Sequence, residues 1–127
     1  MEAKELMIGD WVKISYNGEV GQVYRIDMAN GKGNEFAAVN GGDRSCENLV
    51  PIPLTSEILK KNGWNRYDAL CSGNGCTISV WSEDLYYFSC SKTHNDTPSE
   101  LISCHIHYVH ELQHALRLAG IKKEIVL

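Results

Sequence analysis

Residues 76–90 read CTISVWSEDLYYFSC, and this stretch decides how the C-terminal part of the chain folds. Apolar and polar residues alternate on either side of the turn Ser82-Glu83-Asp84, which is typical of two strands joined as a hairpin. A symmetric hairpin sets these residues opposite each other: Cys76 and Cys90, Ile78 and Phe88, and Val80 and Tyr86. The six side chains share one face, so the pattern predicts a hairpin that buries that face.

The sheet is predicted to gain one more strand on the upstream side of this hairpin. Residues 67–71 have strand character, and the turn Ser72-Gly73-Asn74-Gly75 separates them from residue 76. The same symmetry places Cys71 opposite Cys76 and Ala69 opposite Ile78. We therefore expect a three-stranded antiparallel meander, followed by a polar loop over residues 91–99.

Two helices are predicted around the meander. Thr55 or Ser56 caps the first helix, which runs to about residue 62 and ends at Gly63. The second helix covers residues 106–119, with Gly120 as its terminator and a single apolar stripe that should cover the meander. The stripe consists of Tyr108, Val109, Leu112, Ala115, Leu116 and Ala119. Residues 125–127 are predicted to add an edge strand.

The N-terminal part begins with a second hairpin signal. Residues 8–27 read IGDWVKISYNGEVGQVYRID, in which Asn17-Gly18 predicts a two-residue turn between strands. A third short strand is expected near residues 36–39, between glycine-rich turns. The pattern Gly9-Asp10-x-Val12, then Gly21-x-Val23, resembles the opening hairpin of SH3-like barrels of the KOW and Tudor type. The resemblance implies a small barrel and does not choose between protein and nucleic-acid ligands.

These elements together predict an α+β protein with two subdomains. Residues 1–53 are expected to form an SH3-like β-barrel, and residues 54–127 a helix, a three-stranded meander and an amphipathic helix. The prolines of Pro51-Ile52-Pro53 make an extended connector between them. Because neither part alone buries much apolar area, the two are expected to pack together.

Composition narrows the class of protein. The formal net charge is −4, and neither half has the basic excess that phosphate binding needs, so nucleic acid is not an expected partner. No apolar run reaches the roughly 20 residues of a membrane span, and the charged start Met1-Glu2-Ala3-Lys4-Glu5 is unlike a signal peptide. Five cysteines, an odd number, favour a reducing compartment. We therefore expect a cytoplasmic protein, whose oligomeric state the sequence leaves open.

Two short sequence motifs in the C-terminal part resemble those of a known group of proteins. Residues 52–64 match I-P-L-T-x-E-I-L-x-K-N-G-W, and residues 108–113 match Y-V-H-x-L-Q. Their joint presence is similar to uncharacterised small proteins of Bacteroides genomes and their mobile elements or phages. The resemblance implies a genetic context and no activity.

The segment His110-Glu111-Leu112-Gln113-His114 matches the zinc-hydrolase pattern H-E-x-x-H. Such an enzyme needs a third protein ligand, but the extended metzincin spacing falls on Arg117 and Gly120. The predicted helix also turns this face to solvent. His107, His110 and His114 share that face and could chelate zinc or nickel adventitiously. A zinc hydrolase is therefore the alternative hypothesis, and no cofactor is expected.

The cysteines offer a second metal-like pattern. Cys71, Cys76 and Cys90 lie side by side in the predicted register, and His94 could supply a fourth zinc ligand. They share their face with apolar residues, however, so buried thiols are the favoured interpretation. A nucleophilic pair of Cys104 with His105 or His107 is a poorer candidate, because neighbours on a strand point apart.

Four aromatic residues could form a recognition surface if they are exposed: Trp11, Tyr24, Trp64 and Trp81. With no catalytic constellation in the sequence, the leading hypothesis is a non-enzymatic binding or accessory protein of a mobile element or phage. It would act through contacts with a protein partner that the sequence does not identify. An SH3-like module associated with nucleic acid is a further alternative.

Overall fold

The computed structural model describes residues 1–27, 35–64, 69–71, 76–94 and 97–127. Within these ranges the chain is a mixed α+β protein and divides into two units, Met1–Ile52 and Pro53–Leu127. None of the described helices has the length and apolar character that crossing a membrane would require.

The first unit is an antiparallel sheet of five strands in the order β4-β3-β2-β1-β5. The strands are β1 (Trp11–Ile14), β2 (Val20–Asp27), β3 (Phe36–Val39), β4 (Gly42–Ser45) and β5 (Leu49–Pro51). The predicted closed barrel is wrong, because the described strands form an open sheet with β4 and β5 at its edges. A 3₁₀ turn at Cys46–Asn48 follows β4 and carries the chain to β5, which pairs with β1 instead of β4.

Alternation along β1 and β2 builds the core of this unit. Val12, Ile14 and Val23 are buried, while their neighbours Lys13 and Gln22 are exposed. A bulge between Val23 and Arg25 changes the pairing of β2 as it passes from β1 to β3. The other buried members of the cluster are Ala3, Leu6, Ala37, Val39, Cys46 and Leu49.

The predicted two-residue turn at Asn17-Gly18 is wrong in length. The amide of Ile14 donates to the carbonyl oxygen of Glu19 at 2.8 Å, so residues 15–18 form a four-residue loop. Gly18 has the predicted positive φ, 72°, but Asn17 does not. The two-residue turn with positive φ at both positions is Asn40 (52°) and Gly41 (79°), between β3 and β4.

The second unit contains a four-stranded antiparallel sheet in the order β6-β7-β8-β9 and two helices. Its elements are α1 (Ser56–Lys61), β6 (Ala69–Cys71), β7 (Cys76–Ser82), β8 (Leu85–His94), β9 (Thr97–Ile106) and α2 (Val109–Leu118). The predicted β7–β8 register is confirmed at all three pairs, including Cys76 opposite Cys90.

Two other predictions for this sheet are wrong. Cys71 pairs with Thr77 and Leu70 with Ile78, one residue away from the predicted register of β6. The predicted turn at residues 72–75, which set that register, lies outside the described residues. Of the segment predicted as a polar loop, residues 91–94 belong instead to β8 and residues 97–99 to β9. Ile102, Cys104 and Ile106 of β9 stand opposite Cys90, Phe88 and Tyr86, so β9 extends the apolar face.

Helix α1 follows its predicted capping signals. The hydroxyl of Thr55 accepts a hydrogen bond from the amide of Ile58 at 3.2 Å, and Gly63 ends the helix with φ 99°. The side chain of Asn62 then clamps the C-terminal segment, donating to the carbonyl of Val126 and accepting from its amide at 2.8 Å each. The predicted edge strand at residues 125–127 is therefore wrong, since a side chain and not a neighbouring strand holds this backbone.

Helix α2 begins three residues later than predicted, because Ile106 belongs to β9. Val109, Leu112, Ala115 and Leu116 of the predicted stripe are buried. Residues of α2 contact β9, the strand that directly precedes the helix.

Candidate functional site

The histidine segment lies in the first turns of α2, and its glutamate caps the N-terminal end of the helix. The carboxylate of Glu111 accepts hydrogen bonds from the backbone amides of His107 (2.8 Å) and Tyr108 (3.0 Å). These amides have no partner inside the helix, so the carboxylate stabilises the helix start. Both bonds are accepted by Oε1, so the carboxylate is held at the helix start, whereas a general base would have to face a bound water.

His110 and His114 differ from their predicted solvent exposure. His110 is only 8% exposed and His114 is half-buried. The ring of His110 stacks on Tyr108 (centroids 5.9 Å apart) and meets the edge of His114 at 5.5 Å. Gln113 is buried as well, so the covered surface of α2 is wider than its apolar stripe and extends onto the flank that carries the histidines.

The three predicted metal-ligating histidines are only partly brought together. His107 precedes α2 and is exposed, with Nδ1 3.2 Å from the carbonyl oxygen of Asp84. His110 and His114 remain neighbours on one helix face. Among the described residues, no three histidine, cysteine, aspartate or glutamate side chains form a group that could hold a metal ion.

The cysteine pair of the hairpin is buried. Cys76 and Cys90 face each other across β7 and β8, both as free thiols. Burial, followed by the hydrogen bond with Cys90, raises the pKa of Cys76 to about 12. Since the thiolate is the nucleophile and the metal ligand, this environment disfavours both roles. Cys71 is not the cross-strand partner of Cys76, and the side chains of Cys71 and His94 lie outside those described.

Cys104 is not part of a nucleophilic pair with its neighbour. It is half-buried, and burial raises the pKa of its thiol. His105 follows it on β9 and is exposed on the other side of the sheet. Alternation along the strand therefore separates the thiol from the imidazole.

Three rings lie together on the sheet face opposite the core, two of them exposed and the ring of Tyr87 half-buried. We call Trp81, Tyr87 and His105 the aromatic cluster. Tyr87 stands directly opposite His105 across β8 and β9, and Trp81 lies at the irregular end of β7. The ring centroids are 6.0 Å apart for Trp81 and Tyr87, 5.1 Å for Trp81 and His105, and 5.2 Å for Tyr87 and His105. Trp81 is 64% exposed, so a large apolar surface faces outward.

Two acidic residues follow Trp81 closely in the chain. Glu83 and Asp84, here called the acidic turn, connect β7 to β8 immediately after Trp81 and Ser82. Both are exposed. No ion pair of either side chain is found within the described ranges.

The four aromatic residues considered from the sequence separate into different roles. Trp81 belongs to the cluster, and Tyr24 is exposed on β2 of the first unit. Trp11 is half-buried, and Trp64 is fully buried beneath the ammonium group of Lys123, 5.4 Å from its ring centroid. Sequence reasoning missed His105 as a member, because β9 was not predicted and only its pairing with β8 brings His105 to Tyr87. Tyr87 lies near Trp81 within the predicted β7–β8 hairpin, but the sequence did not single it out.

A small cavity lies in the first unit, near the N-terminus. Its volume is about 160 Å³, and Met1, Glu2, Glu35, Cys46 and Glu47 line it. Pockets for small organic ligands usually reach about 300 Å³ or more, so this cavity is a poor candidate for one.

Comparison of the chain with protein-family models, with curated proteins and with solved structures finds no match. Function is therefore argued from the two units themselves, and above all from the aromatic cluster.

Proposed function

We propose that this chain is a non-enzymatic binding protein that contacts a partner protein through the aromatic cluster. One observation carries the proposal: Trp81, Tyr87 and His105 touch each other on an exposed sheet face, away from the buried side of the same strands. Tryptophan and tyrosine supply much of the energy at protein interfaces because they bury large areas with few rotatable bonds. A cluster that is already assembled loses little further side-chain entropy on binding.

The surroundings of the candidate catalytic groups favour binding over catalysis. Glu111 accepts two backbone hydrogen bonds at the start of α2, and Cys76 has a strongly raised pKa. The zinc-hydrolase alternative would need the Glu111 carboxylate to leave those amides and a third ligand to join His110 and His114. It predicts one tightly held zinc per chain, measurable by elemental analysis, with hydrolysis lost in Glu111→Ala.

The proposed genetic context is a mobile element or phage, in which the protein would act as an accessory factor. This proposed context is supported by the two sequence motifs at residues 52–64 and 108–113, the second of which spans the start of α2. The residues that resemble SH3-like modules lie in the hairpin of β1 and β2, where Val12 and Val23 enter the core. For the nucleic-acid alternative, the net charge of −4 is unfavourable.

Selection from a random peptide library displayed on ribosomes tests the binding role. We expect peptides to enrich on the wild-type protein and to lose binding when Trp81→Ser and Tyr87→Ser are combined. Tyr24→Ser is the matched control, since it removes a similarly exposed ring from the other unit. Thermal melting must show that each variant remains folded.

Two outcomes would contradict the proposal. Either no peptide enriches on the folded wild-type protein, or the enriched peptides bind the double variant as tightly as they bind the wild type. In both cases the aromatic cluster would not be a protein-binding surface.

A further inference from the structure

We infer that the aromatic cluster and the acidic turn together bind an arginine side chain in a basic segment of the partner protein. The inference rests on the proposed binding role of the cluster and specifies what that surface recognises. Three features support it: the angles between the rings, the spacing of their centroids and the charge of the turn beside them.

The ring angles disfavour a broad planar ligand. The interplanar angles are 39° for Trp81 and Tyr87, 75° for Trp81 and His105, and 64° for Tyr87 and His105. A broad flat group such as a nucleobase could therefore stack on only one ring at a time. A compact group needs the face of only one ring and therefore fits this arrangement better.

The spacing of the rings suits a cation. Cations are attracted to aromatic faces within about 6 Å of the ring centroid. The three centroids lie 5.1 to 6.0 Å apart. A cation that lies over the exposed ring of Trp81 would therefore also lie close to Tyr87 and His105.

The negative charge of the acidic turn favours a positively charged ligand. Glu83 and Asp84 are exposed next to Trp81 and have no ion-pair partner in the described parts of the chain. They would attract a cationic segment and repel phosphate groups, so a basic peptide fits better than a nucleic acid.

Arginine satisfies both parts of this surface at once. Its guanidinium group is planar, stacks on an aromatic ring and carries five N–H donors in its plane. While one face of the group lies on a ring, the donors at its edge remain free to bond a carboxylate of Glu83 or Asp84. A lysine ammonium group lacks the stacking face, and a norleucine side chain lacks the charge.

Titration with defined peptides tests the inference. The probe is a short glycine-serine peptide with three arginines, compared with versions that carry lysine, glutamine or norleucine at those positions. The readout is the NMR signal of the Trp81 indole N–H, assigned by its loss in Trp81→Phe. We expect the arginine peptide to shift this signal and to bind about tenfold tighter than the glutamine and norleucine versions, which corresponds to about 1.4 kcal/mol.

Charge variants distinguish direct binding by a nearby carboxylate from long-range attraction by the net charge of the protein. Combining Glu83→Gln with Asp84→Asn should weaken the binding of the arginine peptide by about fivefold or more. Combining Glu19→Gln with Glu124→Gln changes the net charge equally at two other exposed positions and should leave binding within about twofold of the wild type.

Each contrary result has a distinct meaning. If the norleucine peptide binds as tightly as the arginine peptide, the cation is not recognised, although the binding role of the cluster stands. If the two pairs of charge variants weaken binding equally, only long-range attraction operates and the inference fails. If the arginine peptide leaves the Trp81 signal unchanged, the inference is overturned, and the library selection then decides whether the binding role fails with it.

Discussion

The buried pair of Cys76 and Cys90 leads to a quantitative prediction about thiol reactivity. The pKa of Cys76 is raised from the ordinary value of 9.0 to about 12, chiefly because burial penalises the charged thiolate. The reactive thiolate fraction at neutral pH is therefore about 1,000-fold lower than that of an ordinary thiol. Cys76 is also fully buried, so a reagent must wait for the sheet to open.

Alkylation with iodoacetamide at neutral pH, followed by mass spectrometry of each cysteine, measures this effect. We expect Cys76 to label at least about 1,000-fold more slowly than a reference thiol introduced by Glu124→Cys at an exposed position, and Cys90 to label slowly because it is buried. All five cysteines should label once the protein is denatured. Native labelling of Cys76 within about tenfold of the reference would refute the reasoning, because it requires an accessible thiolate.

Substitution of Cys76 tests the same environment through stability. Cys76→Ser should lower the free energy of unfolding by about 1–3 kcal/mol, since it buries a hydroxyl in apolar surroundings. Cys76→Ala adds no polar group and should cost less. Urea denaturation measures both changes. Equal losses for serine and alanine, combined with sensitivity to a chelator, would indicate a metal site instead of buried thiols.

The raised pKa also sets the sign of a pH dependence. In the unfolded chain Cys76 ionises near its ordinary pKa of 9.0, whereas in the folded protein it stays protonated until about pH 12. The unfolded state therefore binds fewer protons in this window, so the contribution of Cys76 to stability falls as pH rises from about 9 towards 12. Below pH 9 the contribution is constant. Comparing urea denaturation of the wild type and Cys76→Ala across this range isolates it; a difference that does not change above pH 9 would contradict the shift.

Three further predictions concern the backbone, and each is measured by urea denaturation. Gly18→Val should destabilise by about 1–3 kcal/mol, because a branched side chain is strained at φ 72°; an unchanged midpoint would mean that the loop adopts another conformation. Asn62→Ala should cost about 1–3 kcal/mol through its lost bonds to Ile58 and Val126, and it should also increase hydrogen exchange at the Val126 amide. Glu111→Ala should cost about 1 kcal/mol through the lost helix cap, whereas Glu111→Gln keeps an acceptor and should cost less. Equal effects of the last two variants would contradict the capping role.

The β7–β8 hairpin was predicted correctly because its strands alternate strongly between apolar and polar residues and are joined by a short turn. Between β7 and β8 only one register buries Cys76, Ile78 and Phe88 together, and slipping by one residue would expose them all. The cap of α1 was equally local, since Thr55 and Gly63 act within one turn of the helix. Such features depend on residues close together in the chain, which is why they could be predicted.

The loop between β1 and β2 shows how a local signal can mislead. Asn-Gly often forms a two-residue turn, yet at residues 17–18 the pairing of Ile14 with Glu19 requires a four-residue loop. The same dipeptide at residues 40–41 does adopt the two-residue turn. The difference lies in the strand register, which is set by burial of Val12, Ile14 and Val23 and not by the turn residues alone.

The sequence by itself determined the mixed α+β composition, the β7–β8 hairpin, the capped start of α1 and the buried face of α2. These follow from periodicity and from residues that bond to near neighbours, and both are written in consecutive positions. Four features became clear only in three dimensions: the open five-stranded sheet, the hydrogen bonds of Asn62 to Val126, the burial of His110 and the contact of His105 with Trp81. Each of these features depends on which distant segments of the chain pair with each other. That pairing is determined by how much apolar surface the whole fold buries, and a short stretch of sequence does not contain this information.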